Sequence, residues 1–154
     1  MTASLLGAYL DRDALLLDVE AGDAAEAIGL LAARLEASGR VRATYRDAVI
    51  AREAIMPTGL PLGAINVAIP HTDVEHVIRP GVGLAVLRAP VQFASMDDPD
   101  ERLDVRIVFA LALTEKNAQI AMLQAIMELI QDEDALGRLA AARDPAQALA
   151  ALGC

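Results

Sequence analysis

The stretch Asn66-Val67-Ala68-Ile69-Pro70-His71-Thr72-Asp73 sets a short apolar, β-capable run against a proline and then delivers a histidine. Four such residues in a row read as a buried strand. Proline has no N–H for the next rung of a ladder, so pairing should stop at Pro70 and leave His71 just past a strand end. Imidazole can be a neutral nucleophile and a proton carrier near neutral pH, so a histidine held by a rigid strand end suits chemistry. The same place also suits an ordinary surface or core histidine, and these eight residues alone leave both readings standing.

Immediately upstream, Pro57-Thr58-Gly59-Leu60-Pro61-Leu62-Gly63 has two prolines and two glycines in seven residues and reads as loop. Before it, Thr44 with Asp47 opens a helix whose apolar face is expected to carry Ala48, Ala51 and Ile55, ending near Met56 ahead of Pro57. Arg52 lies near the end of that helix and His71 just after the following strand, so the chain between them can bring the two together. Further back, Asp23 and Glu26 have capping-box spacing. Ile28, Leu31 and Leu35 then recur at helical intervals until Gly39 supplies the stop. Ala14 to Val19 is too short an apolar run for a helix and reads as a strand or extended arm.

Downstream, Val82, Leu84 and Val86 alternate with Gly83, Ala85 and Leu87, apolar or small on both faces, as in a central strand. Pro90 and the acidic run Asp97-Asp98-Pro99-Asp100-Glu101 read as a surface connection. The run lacks the ligand alternation and glycine of a calcium loop, so it reads as a solvated turn. Val105 to Leu113 forms a second strand buried on both sides, and its end at Leu113 and Thr114 is a further place to look for function. Ile120, Leu123, Ile126, Met127 and Ile130 define a long helix starting near residues 115–117. Asp132 or Asp134 caps a shorter helix through Leu136 and Leu139, and Asp144-Pro145 opens a last one. Strands alternating with helices indicate an α/β or α+β layered domain, with helices covering a sheet. No internal repeat or long linker divides the chain, so residues 1–154 are read as one domain.

The 154 residues suffice for a substantial core, and 55% of them are hydrophobic, largely Ala and Leu, with no Trp, which favours helices packed through small side chains. A formal charge of −9 with only 13 Lys and Arg argues against a nucleic-acid partner. No uncharged run reaches membrane-spanning length, the longest strongly apolar stretch being Ile107 to Leu113, and Met1 to Leu10 lacks the positive start of a signal peptide. A soluble, cytoplasmic protein is expected. The single cysteine, Cys154, is expected as a free thiol at the carboxyl end.

Several chemistries are excluded by motif. No Gly-Lys-Ser/Thr follows the glycines of residues 59–63, so there is no P-loop, and Gly-x-Gly-x-x-Gly and Gly-x-Ser-x-Gly are also absent. His71 and His76 are spaced unlike usual zinc pairs and lack an evident third ligand, though Asp73 and Glu75 are close, so no metal and no cofactor is expected. What remains is a histidine able to act covalently without a bound nucleotide. Phosphoryl chemistry there needs a nucleophilic ring nitrogen, a group holding the other nitrogen, and donors for the phosphoryl oxygens. Arg52 offers a permanent charge and a fork of donors, and amides at a helix start can add more. Arg52 reads equally as a solubilising residue on a helix surface.

The run Arg52-Glu53-Ala54-Ile55-Met56-Pro57-Thr58-Gly59, followed by Val67-Ala68-Ile69-Pro70-His71, resembles the IIA domain of the mannitol and fructose type in the bacterial sugar phosphotransferase system. The continuation His71-Thr72-Asp73-Val74-Glu75-His76-Val77, with Pro80 after it, looks most like the galactitol IIA subgroup. The likeness extends from about Tyr45 to Ala141. It implies a mixed sheet between helices and a phosphocarrier: His71 would take a phosphoryl group from HPr and hand it to a cysteine of a IIB protein, energising uptake of galactitol or a related polyol through a membrane IIC. Arg52 matches the family's active-site arginine. Many relatives carry a second active-site histidine at the start of the long helix, where this chain places Gln119. A glutamine amide can hydrogen-bond a phosphoryl oxygen or an imidazole but cannot carry a proton as histidine does. His76 matches no catalytic position and is expected to be structural or at the surface. The alternative reading is a regulatory, nitrogen-type IIA module whose phosphorylation state controls a protein partner.

Overall fold

The computed structural model describes residues 2–153, so Cys154 lies outside the described residues. Helix α1 (Thr2–Tyr9) runs directly into strand β1 (Leu10–Val19), and helices α2 (Ala24–Ala37) and α3 (Tyr45–Ile55) follow. Two short strands, β2 (Gly59–Leu60) and β3 (Asn66–Ala68), precede a single 3-10 turn at Val74–His76 and the long strands β4 (Gly81–Ala94) and β5 (Arg102–Ala112). Helices α4 (Lys116–Leu129), α5 (Glu133–Ala140) and α6 (Pro145–Ala151) complete the order. The five strands form one mixed sheet in the order β1-β4-β5-β3-β2. β1 runs parallel to β4 and β3 parallel to β5, whereas β4–β5 and β2–β3 are antiparallel.

Both faces of the central strands are covered, as their two-sided apolar pattern requires. Val82, Leu84, Val86, Ile107, Phe109 and Leu111 face one core with Leu6 of α1, Met122 and Ile126 of α4, and residues of α5 and α6. Ala85, Leu87, Val108 and Ala110 face the other, against Ile28, Leu31 and Leu35 of α2 and Tyr45 and Val49 of α3. The small residues lie mostly on the α2 side. A Cβ added to Gly83 would meet Leu31 at 3.2 Å, so the helix sits close to the sheet there.

Four expectations change. Strand β4 continues past Leu87 to Ala94 instead of giving way to a surface connection at Pro90. Its pairing with β5 jumps from Val86↔Ile107 to Val91↔Val105, which puts Pro90 in an irregular stretch where no ladder hydrogen bond is asked of it. Arg106 bridges this bulge by donating to the Leu87 carbonyl at 2.7 Å. Second, the buried residues of α3 are Tyr45 and Val49, while Ala51 is exposed and Ile55 is 78% exposed. The Tyr45 hydroxyl fixes that rotation by donating to the buried Leu111 carbonyl at 2.7 Å. Third, α4 buries Met122, Ala125 and Ile126 but leaves Ile120 and Met127 outside. Elsewhere the end signals act locally: Asp23, Asp132 and Asp144 each accept a capping bond from the backbone N–H three residues on.

The segment 57–63, expected as loop, contains β2, which seals the far edge of the sheet against β3. Gly59 also bridges to Ser95, and its carbonyl accepts from Met96 N–H at 2.8 Å. A Cβ on Gly59 would lie 2.5 Å from the Ala94 carbonyl oxygen, a backbone atom that cannot swing away. Gly59→Ala is therefore expected to lower stability by about 1–3 kcal/mol through forced backbone displacement, read as a fall in the urea midpoint without a change in slope.

Candidate functional site

Tyr45, Val49, Arg52 and Glu53 fall on one side of α3 by helical spacing, so the hydroxyl that anchors Tyr45 also directs the last turn of the helix toward the sheet edge. From there Glu53 holds the chain that follows. Its carboxylate accepts from the Thr58 backbone N–H and from the Thr58 hydroxyl, both at 2.8 Å. The Thr58 oxygen in turn accepts the Ile69 N–H at 3.0 Å. This relay of carboxylate, hydroxyl and amide joins the end of α3 to the residue just beyond β3. Pro70 contributes its carbonyl to Leu111 N–H at 3.1 Å, so the extended path stays attached to β5 although its own N–H is missing.

His71 follows, half-buried, with its Nδ1 2.8 Å from the Ile69 carbonyl. A carbonyl only accepts, so the proton in this contact belongs to Nδ1, and in the neutral ring it is Nε2 that keeps the lone pair. The ring lines a cleft of about 250 Å³ together with Arg52, Thr72, Asp73, Lys116, Gln119, Ile120 and Leu123. Arg52 reaches across to Asp73, Nη2 to Oδ1 at 2.6 Å. The structure thus brings His71, Arg52 and Gln119 to one place from three separate elements. His76 stands apart from the cleft: its Nδ1 lies 2.9 Å from the Thr44 hydroxyl oxygen, tying the loop after His71 to the start of α3.

Lys116 was not expected at the site. It is the single lysine of the sequence and the first residue of α4, three positions before Gln119 and so on the same side of the helix. A cation in the first turn opposes the helix dipole, and this turn contains no acidic residue to offset it. That inversion of the usual charge preference is a signal the sequence did carry. Glu115, at the N-cap position, makes no side-chain capping bond. Among the described residues no group of three or more His, Cys, Asp or Glu is arranged to hold a metal ion.

Residues 8–153 match the family described as the phosphoenolpyruvate-dependent sugar phosphotransferase system, EIIA 2. The chain belongs to that family. As an EIIA domain it is a component of a phosphotransferase, and its mixed sheet between helices is the mannitol-type IIA fold. It is 31% identical to the galactitol-specific EIIA component of Escherichia coli K12, over 73% of this chain and 74% of that protein. The same identity holds to the 2-O-alpha-mannosyl-D-glycerate-specific EIIABC component of that strain, over 92% of this chain but only 21% of the longer protein. Among solved structures, the Escherichia coli complex of mannitol enzyme IIA with phosphorylated enzyme IIB is similar at 25% identity and a TM-score of 0.75, covering 94% of this chain and 96% of that one. Among the described residues no helix of this EIIA domain is long and apolar enough to cross a membrane.

Burial pushes the Glu53 carboxyl up from its ordinary value, against the two Thr58 hydrogen bonds that pull it down. A carboxyl raised in the folded state binds protons more readily there than in the unfolded chain. Its contribution therefore grows as pH falls through the raised value and is complete below the ordinary 4.5. Urea unfolding of the wild-type chain and Glu53→Gln should show the variant less stable at neutral pH by about 1–2 kcal/mol, for a lost acceptor. The wild-type advantage should widen as pH is lowered toward the mid-fours, the opposite of an ordinary ion-paired carboxylate.

Proposed function

We propose that this EIIA domain is a phosphohistidine carrier that accepts a phosphoryl group from HPr on His71 Nε2 and passes it to a cysteine of a IIB protein. The observation that carries the reading is the Nδ1 contact to the Ile69 carbonyl, which leaves Nε2 as the nucleophile in a cleft flanked by Arg52, Lys116 and Gln119. The chemistry needs no metal and no proton acceptor. The Nε2 lone pair forms the new N–P bond as the donor's bond to phosphorus breaks, the donor's leaving atom keeps that electron pair, and the Nδ1 proton stays facing the Ile69 carbonyl. The ring becomes cationic, which favours onward transfer, because a cationic imidazole leaves phosphorus as a neutral group. Arg52 and Lys116 supply positive charge to the three phosphoryl oxygens, and the Gln119 amide can donate a further hydrogen bond.

A protein donor and a protein acceptor require an accessible, apolar rim. Ile120, 53% exposed, and Leu123 line the cleft beside the histidine. The similarity to a IIA enzyme solved with phosphorylated IIB supports IIB as the acceptor. The galactitol-specific relative and the His71–Val77 sequence support a system for galactitol or a related polyol or sugar, whose recognition would rest with the membrane IIC component and not with this chain.

Incubation with phosphoenolpyruvate, enzyme I and HPr is expected to add one acid-labile phosphate, seen by intact mass and mapped to His71. Label persisting in His71→Ala would show that another residue is the acceptor. Arg52→Gln should slow labelling by roughly ten- to a hundred-fold, as for loss of a preorganised charged donor. Lys116→Ala, which removes an exposed cation, should slow it by about three- to ten-fold, with the deficit shrinking at high salt.

A further inference from the structure

Asp73 places a carboxylate inside a site that has to receive a phosphoryl group. Three charged side chains line the cleft, Arg52, Lys116 and Asp73, and they leave one net positive charge. With Asp73 withdrawn they would leave two, the match for a phosphoryl group carrying close to two negative charges.

Local structure gives Asp73 a different task that it does not perform. It occupies the N-cap position of the 3-10 turn with extended backbone, φ −63° and ψ 149°, yet its side chain makes no capping bond. The carboxylate turns instead to Arg52 at 2.6 Å. Tethering the loop is not a sufficient reason for that pair, because the loop is already held by Arg42 N–H to the His76 carbonyl, by Thr44 to His76 and by Ile78 N–H to the Arg40 carbonyl. Nor is stability, since the Asp73 side chain is 61% exposed and exposed pairs contribute little. Arg52, at 30%, is the less exposed member, so the aspartate is the one with room to leave.

We propose that Asp73 is a built-in competitor of the phosphoryl group. It neutralises and orients Arg52 while His71 is free, and gives Arg52 up to the phosphoryl oxygens when His71 carries the group. The carboxylate makes the phosphorylated state less favourable than the cationic cleft alone would, and so keeps the phosphoryl group transferable. Asp73 is a positioning residue, acting through Arg52. The inference rests on His71 as the phosphoryl acceptor.

The test compares wild type, Asp73→Asn, Asp73→Glu, Arg52→Gln and the Asp73→Asn/Arg52→Gln double variant at equilibrium with phosphorylated HPr, with the phosphorylated fraction read by intact mass. Thermal melts check that each variant is folded. Asp73→Asn is expected to raise the equilibrium constant for phosphorylation by roughly two- to five-fold, the scale of one exposed ion pair, while Asp73→Glu stays near wild type. In the Arg52→Gln background the same substitution should lose most of its effect. An equilibrium constant unchanged or lowered in folded Asp73→Asn would overturn the inference, and so would an effect of equal size with and without Arg52. If folded wild-type protein takes no label on His71, the carrier reading itself fails; if it is labelled and only the Asp73 pattern is missing, the carrier reading stands and the competitor role does not.

Discussion

One hydrogen-bond relay, from the end of α3 to the end of β3, holds the candidate site together. Glu53 accepts from Thr58, and Thr58 accepts from the Ile69 amide, so a helix end, a tight connection and a strand end are locked to one another. Without a partner, the partly buried Glu53 carboxylate would be costly and the Ile69 N–H would be unsatisfied beyond the last rung of β3. Each group answers the other's need, and the result is that Arg52, one residue before Glu53, and His71, two residues after Ile69, open into the same cleft. The spacing between the two halves of the sequence motif follows from this closure.

The histidine itself is prepared by backbone. Pro70 withholds an N–H and ends the pairing of its strand, yet its carbonyl keeps the segment on β5, so the strand end is both free and rigid. The Ile69 carbonyl then selects the tautomer of His71. Charge is added from two directions, by the last turn of α3 through Arg52 and by the first turn of α4 through Lys116. At the start of α4 the helix dipole also favours negative charge. Beside Arg52 and Lys116 in the cleft, Gln119 can contribute a hydrogen bond but no proton. The proposed transfer asks for no proton, which is consistent with the site using glutamine in that position.

The two cores on either side of the sheet explain why the site lies at an edge. Large side chains of β4 and β5 fill the face under α4, α5 and α6, while alanine and glycine let α2 approach closely on the other. The central strands are buried on both faces over residues 81–87 and 107–112. The short strands β2 and β3, with few side chains in either core, can be shaped by loop chemistry, and it is beside them that polar groups gather.

The sequence by itself determined the elements whose signals are local. Caps at Asp23 and Asp144, the two-sided alternation of the central strands and the strand-ending proline act over a few residues, and each does so in the fold. It also pointed to His71 and Arg52 as residues the chain between them can bring together, and both line one cleft in the fold. Tertiary structure decided what depends on a partner distant in sequence. The rotation of α3 is set by Tyr45 meeting the Leu111 carbonyl, 66 residues away, which is why Ile55 lies outside although its spacing suits a buried face. The continuation of β4 past Pro90 depends on β5 offering a bulge and Arg106 to satisfy it. Ile120 stays exposed because α4 is turned by Met122 and Ile126, and Asp73 prefers Arg52 to its own turn because the arginine is delivered by another helix. Periodicity can name which residues share a face, but which face is buried is fixed only when two elements meet.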